Sequence, residues 1–212
     1  MKQTFIFFAF LLSSLSLSAQ WKIGPKVSTG LILQEAESFR ILPMSDHSIY
    51  DLEFVGGSST YSAGLMAYRS LGPFFLQTEA LATSYSLEFR MDSYNKLDQS
   101  SPIYSEDYYI LEIPFIAGVQ VRNNFKLGLG PIAEIKADKN SQFQELDFYR
   151  DTTKPVEFGF QALIGYTTGV LHLDLRYVNK FSSIADGFNF GDDDMKLNSS
   201  ANRLSLSVGI AF

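Results

Sequence analysis

The chain of 212 residues contains no cysteine, which excludes disulfide scaffolds, thiolate zinc sites, iron–sulfur clusters and a lipid-modified N-terminal cysteine. It has one tryptophan and two histidines, and only 19% of its residues are charged. Basic residues are outnumbered by acidic ones, 17 to 23, so no basic face for nucleic acid is expected. No apolar run reaches the ~20 residues of a spanning helix. Walker glycine loop, dinucleotide fingerprint and histidine pair for zinc are all missing, so neither metal nor cofactor is expected. What is abundant is hydrophobic: 46% of the chain, with 19 Phe and 11 Tyr.

Residues 1–19 read as a secretory signal peptide. Lys2 supplies the positive start, Phe5 to Leu12 the apolar core, and Ser13 to Ala19 a mostly small-residue cleavage region. Cleavage falls after Ala19 or after Ser18. The rest of the chain, 20–212, is expected to form one β-barrel domain.

From Gln20 onward the pattern has period two, the mark of strands with unlike faces. Leu171, Leu173, Leu175 and Tyr177 alternate with His172, Asp174 and Arg176. Leu204, Leu206, Val208, Ile210 and Phe212 alternate with Arg203, Ser205, Ser207, Gly209 and Ala211. Six further segments behave alike: Trp21 to Leu33, Tyr61 to Tyr68, Phe74 to Tyr85, Tyr108 to Val121, Phe125 to Lys136 and Val156 to Tyr166. Short connections at Arg69–Pro73, Arg122–Asn124 and Thr167–Gly169 carry turn residues. Long ones cover Gln34–Thr60, Ser86–Asp107, Ala137–Pro155 and Val178–Asn202. The expected fold is all-β: an eight-stranded antiparallel up-and-down transmembrane barrel with short periplasmic turns and long outer loops.

A soluble barrel hides its apolar face inside, whereas a membrane barrel turns it to lipid. Three features favour lipid. Nine glycines, among them Gly24, Gly64 and Gly130, fall on the polar face, which suits a narrow bore. Apolar-face aromatics gather at segment ends: Trp21, Phe74, Phe125, Tyr166 and Phe212 at the short turns, Tyr61, Tyr109, Phe158 and Tyr177 toward the long loops. The polar face carries both signs of charge in near balance, as burial requires. The long loops, by contrast, hold 18 of the 23 acidic residues, a pattern that keeps an exposed surface soluble.

Depth along the strands groups the lumen charges. Lys26, Glu79, Asp174 and Arg176 lie four to six residues from the short-turn end; Glu112, Glu134, Lys136, Glu157 and Arg203 lie nine to eleven residues in. Each group mixes signs, and Gln77, Gln120 and Gln161 offer neutral partners between them. Two hydrogen-bonded ionic layers that plug the bore are expected, since eight strands leave room only for side chains. The lipid face should resist charge: Leu173→Arg is expected to cost more than Asp174→Ala.

Several segments together resemble the PorT-like outer-membrane β-barrel family of Bacteroidota. They are Phe75-Leu76-Gln77-Thr78-Glu79-Ala80-Leu81, Tyr109-Ile110-Leu111-Glu112-Ile113-Pro114, Gly128-Leu129-Gly130-Pro131 and Leu173-Asp174-Leu175-Arg176-Tyr177. The resemblance implies a bacterial outer-membrane barrel in contact with outer-membrane lipid. It also implies a terminal strand, with Ile210 and Phe212, that is read by the barrel-assembly machinery as outer-membrane barrels' last strands are. The family's name is tied to a gliding-associated (type IX) secretion system, so secretion-system components are candidate partners.

Catalysis is weakly signalled. His172 lies on the lumen face, where a satisfied core histidine is expected. His47 follows Asp46 in the first long loop and Asp92-Ser93 lie in the second, but nothing in the sequence brings a base to a nucleophile. Gly191-Asp192-Asp193-Asp194 lacks the spacing of a calcium loop, and Asn198-Ser199-Ser200 carries little meaning in a bacterial barrel. The expected role is non-catalytic, structural or loop-mediated binding. The alternative is a component or helper of a secretion or transport assembly, with an outer-membrane lipid-modifying enzyme a distant third.

Overall fold

Alternation at period two fixes which side of a strand each residue faces, and turn chemistry fixes where strands reverse. The computed structural model describes residues 21–33, 38–41, 50–93, 101–121, 124–142, 149–151, 155–181, 188–190 and 202–212. In chain order the strands are β1 (Lys22–Leu33), β2 (Ser38–Ile41), β3 (Tyr50–Gly57), β4 (Thr60–Leu71), β5 (Phe74–Ser93), β6 (Ile103–Val121), β7 (Phe125–Ser141), β8 (Tyr149–Asp151), β9 (Val156–Thr168), β10 (Leu171–Lys180), β11 (Phe188–Phe190) and β12 (Asn202–Ile210). Eight of them close a ring in the order β1-β4-β5-β6-β7-β9-β10-β12, every neighbour antiparallel. The seam pairs β12 back onto β1, with Val27 opposite Val208 and Leu33 opposite Asn202. Residues 1–19, Asp46, His47, Gly191–Asp194 and Asn198–Ser200 lie outside the described residues.

The tight turns are shorter than the sequence pattern suggests. Arg69 to Leu71 belong to β4, and Thr167 and Thr168 belong to β9. Reversal needs only Gly72-Pro73 in one case and Gly169-Val170 in another, with Gly72 at φ 67° and Gly169 at φ 59°. Close approach of neighbouring strands also requires glycine in the wall: a Cβ on Gly130 would lie 1.8 Å from the carbonyl oxygen of Phe115 on the adjoining strand β6.

The wall is uneven in height. β5, β6 and β7 run 20, 19 and 17 residues, whereas β10 and β12 run 10 and 9. The segments read from sequence as long loops therefore contain strand: β5 continues through Ser93, β6 starts at Ile103, and β7 ends at Ser141. The first long connection contributes the β2–β3 hairpin, which pairs onto the upper half of β5 from Leu87 to Ser93. β8 and β11 form a separate two-stranded sheet.

Along β5 the sense of the alternation inverts. From Phe74 to Ala82 the outward positions are Phe74, Leu76, Thr78, Ala80 and Ala82, and the inward ones include Gln77 and Glu79. Beyond Ser84 the outward positions are Ser86, Glu88, Arg90 and Asp92, while Leu87, Phe89 and Met91 are buried inward. The lower half matches the about ten residues that a tilted strand needs to cross hydrocarbon. Its outside is dressed for lipid and its inside for polar contacts; the upper half is dressed for water outside and an apolar core inside. The change falls at one cross-strand row, Tyr61–Ser84–Tyr109. Tyr61 is 63% exposed, Phe158 60%, Phe74 57% and Phe125 56%, so aromatic side chains stand on the outer surface near both edges of the aliphatic band. The chain is a membrane-spanning barrel.

Candidate functional site

The described side chains of the lumen are stacked in layers. At the short-turn end an apolar floor gathers Met66, Tyr68, Phe75, Ile116, Leu163 and Ala211. Tyr68 stacks on Phe75 with ring centroids 5.7 Å apart, and Gln120 donates to the Tyr68 hydroxyl. Gln120 thus belongs to the floor and not between the ionic layers. His172 is fully buried there, edge-on to Tyr68 at 4.7 Å, with Nδ1 3.2 Å from the Thr167 hydroxyl and 3.4 Å from Lys126 Nζ. That is a packed histidine, held by Tyr68, Thr167 and Lys126 and closed off from the surface, and it offers no general base to an outside substrate.

Above the floor lies the lower ionic layer. Lys26 donates to Glu79 at 2.7 Å and to Asp174 at 2.6 Å, and Arg176 donates to Glu79 at 2.6 Å. Lys26, Glu79, Asp174 and Arg176 are thus brought together, from β1, β5 and β10. The sequence reading left out one member: Lys126, buried, 2.8 Å from Asp174 and also donating to Gln77 Oε1 at 2.8 Å. Gln77 in turn donates to Asp174 at 3.1 Å. Lys126 stands on the inward face, but it is only the second residue of β7, so its backbone lies below the layer its charge joins. A four-carbon stem carries the charge well above its own Cα.

Small side chains follow, Ser28, Thr60, Ser62, Ser205 and Ser207, around a void of about 10 Å³, room for about one water. The upper ionic layer closes over it. Arg203 donates to Glu112 at 2.6 Å and also to Glu134. Lys136 donates to Glu157 at 2.7 Å. Lys180, buried, lies 2.7 Å from Glu134 and 3.8 Å from Glu157, and so joins the two pairs. Gln161 stays in the wall and donates to the Pro131 carbonyl oxygen.

Lys180 was missed because inward-facing Val178 breaks the polar pattern of β10 just before it. A further polar cluster was missed for a different reason. Glu106 accepts from Tyr108 at 2.7 Å and from Ser141 at 2.6 Å, and it lies 3.3 Å from Lys139. Against β6, Tyr109 pairs with Asp138 and Ile110 with Lys136, which leaves Ala137 as an extra residue. Such a bulge shifts side-chain parity by one, and Lys139 and Ser141 then turn toward Glu106. A strict period-two reading loses the face at that point.

Above these charges Tyr85 stacks on Tyr108, centroids 5.1 Å apart, and Phe54 meets Phe89 edge-on at 5.7 Å. With Leu52, Leu87 and Met91 they form a buried apolar cap. Among the described residues no group of three or more His, Asp or Glu could hold a metal ion. The terminal positions lie on the outer wall: Ile210 is opposite Leu171, and Phe212, 75% exposed, exchanges backbone hydrogen bonds with Ile23 at 3.1 and 3.2 Å.

Ring order gives these contacts their meaning. In a closed ring of eight, each strand faces the one four places away. β5 faces β10 and β6 faces β12. The Arg176–Glu79 and Arg203–Glu112 pairs, both at 2.6 Å, therefore cross the full diameter.

No protein-family model matches the chain, and no curated protein matches it. Among solved structures it is similar to the outer membrane channel DcaP of Acinetobacter baumannii, at 10% identity over 92% of this chain and 97% of that one, with a TM-score of 0.32. It is similar also to the NanC porin, at 10% identity over 91% of this chain and 99% of that one, with a TM-score of 0.29. At such distances the membrane assignment rests on the barrel's own surface.

Proposed function

We propose that this chain is an integral protein of the bacterial outer membrane, closed along its axis, that acts without catalysis through what it presents beyond the bilayer. One observation carries the reading: ion pairs from opposite walls meet across the bore at two depths. Side chains in contact across a diameter leave no continuous water path, and eight strands give no spare width. The part that differs most from a bare barrel is the tall wall of β3, β5, β6 and β7. There the structural or binding role resides. The purified protein in planar bilayers is expected to show no steady conductance; large, stable, ion-selective channels would overturn the reading.

The second reading, a component or helper of a secretion or transport assembly, is favoured by the same wall. Among the described residues β2 pairs only with β3. Unpaired strand edges accept a partner's strand. This reading agrees with the resemblance to PorT-like proteins, and a knockout strain assayed for secretion, adhesion and permeability together separates the two. Under either reading Ile210 and Phe212 serve as the segment recognised by the barrel-assembly machinery. Deleting Phe212 is expected to lower the heat-modifiable folded fraction in cells, and unchanged yield would count against that role.

A further inference from the structure

The lumen accounts for every ionic layer described above, but it does not account for Arg69. This residue is on the outward side of β4, in the same parity as Tyr61 and Leu65. Across the ladder it faces Leu76 of β5. On its other side Lys22 pairs with Tyr68, which sets Trp21 beside Arg69, and the guanidinium carbon lies 5.8 Å from the centre of the indole. Nε and Nη2 of Arg69 are buried and have no hydrogen-bond partner among the described residues. These two nitrogens form one edge of the guanidinium, the fork that grips two oxygens of a single anion.

Among the described residues no acidic side chain is at hand to fill that fork. The described residues of the short-turn rim, 21–24, 69–75, 119–121, 124–126, 166–172 and 209–212, include Lys22, Arg69 and Lys126 and no Asp or Glu. A desolvated guanidinium edge without an acceptor is costly. Its neighbours on the outer surface are apolar or aromatic, and its height is that of the aromatic belt where headgroups meet hydrocarbon. The anion available at that level is a lipid phosphate.

We propose that Arg69 and Trp21 form a seat for the phosphodiester of a phospholipid in the leaflet at the short-turn end. The proposal rests on the membrane reading. The phosphate takes the Nε–Nη2 fork, and the indole moves aside from the guanidinium while staying at the interface. The residue before β1 is placed for such a movement, since Trp21 precedes the first ladder pair and is 42% exposed.

Trp21 is the single tryptophan of the chain, so its emission reports on the seat without labelling. The full chain, folded in a sugar-headgroup detergent that carries no phosphate, is titrated with a short-chain phosphatidylglycerol. A saturable change in emission is expected. Arg69→Gln is expected to raise the half-saturating concentration at least tenfold. Should that variant fail to fold, Arg69→Lys, which keeps the charge and loses the fork, is read in the same way, with threefold or greater weakening expected. A diacylglycerol of equal chain length is expected to give no saturable change, and inorganic phosphate none at matched concentration. Equal responses from diacylglycerol, or from a folded Arg69→Gln or Arg69→Lys protein, would overturn the proposal in favour of chain partitioning. An equal response from inorganic phosphate would overturn the lipid assignment in favour of a free-anion site. Flotation of the wild-type protein with vesicles reads the membrane assignment separately.

Discussion

The two ionic layers look alike but are balanced differently. In the lower layer three cations, Lys26, Lys126 and Arg176, share two carboxylates, Glu79 and Asp174. In the upper layer Lys136, Lys180 and Arg203 meet Glu112, Glu134 and Glu157, one for one. The lower layer meets its surplus with neutral acceptors, chiefly Gln77. A buried charge is tolerated only while it is paired, so the lower layer is intolerant of losing an acid and tolerant of losing a base. The upper layer has no such preference.

That contrast sets an order of effects. Glu79 serves both Lys26 and Arg176. Glu79→Gln leaves three cations with one carboxylate and is expected to cost the most, about 5 kcal/mol in a reversible unfolding titration from lipid vesicles. Arg203→Met removes the diametric partner of Glu112, but Lys180 still holds Glu134. A smaller loss of about 3 kcal/mol is expected by the same measurement. Lys126→Met takes away the surplus cation and leaves Asp174 paired to Lys26. It is expected to change stability by less than about 1 kcal/mol, in either direction. If Lys126→Met cost as much as Glu79→Gln, the imbalance between the layers would have no energetic meaning.

Most of the wall was legible because a strand face is written in one dimension. The pattern placed eight strands, the side of each that meets lipid, and the lumen residues Glu79, Glu112, Asp174 and Arg176. What it could not hold was anything that changes parity or sign. Leu87, Phe89 and Met91 occupy the same face as Glu79, yet a rule that puts apolar residues outside stops at Tyr85. The rule is local to the bilayer: where the outer solvent becomes water, the same face becomes the apolar core. The bulge at Ala137 hid the contacts of Lys139 and Ser141 by the other route.

Partnership was the second thing out of reach. The sequence ranks Leu173→Arg above Asp174→Ala in cost, since it shows one lipid-facing leucine and one lumen acid. The structure gives Asp174 two ammonium partners, Lys26 at 2.6 Å and Lys126 at 2.8 Å, and no exposure. Removing it leaves Lys26, Lys126 and Arg176 with Glu79 as their one carboxylate, a loss of about 3 to 5 kcal/mol, against about 2 to 4 for arginine at midplane. The two ranges overlap, so the order of the two costs is set by the depth of Leu173 in the bilayer. Which side chains meet across a ring depends on strand tilt and stagger, and neither is written in the alternation of one strand.

The diametric pairs have a mechanical consequence. A hollow ring of strands flattens easily, because ovalising it bends hydrogen-bonded hinges and stretches nothing. Here Arg176–Glu79 and Arg203–Glu112 act as spokes at two heights, along axes one strand apart. Any squeeze that shortens one diameter lengthens another, and the spokes resist both by contact and by attraction. The barrel therefore behaves as a stiff post in a fluid sheet, and its tall wall keeps a fixed heading relative to the membrane plane while the lipids around it move.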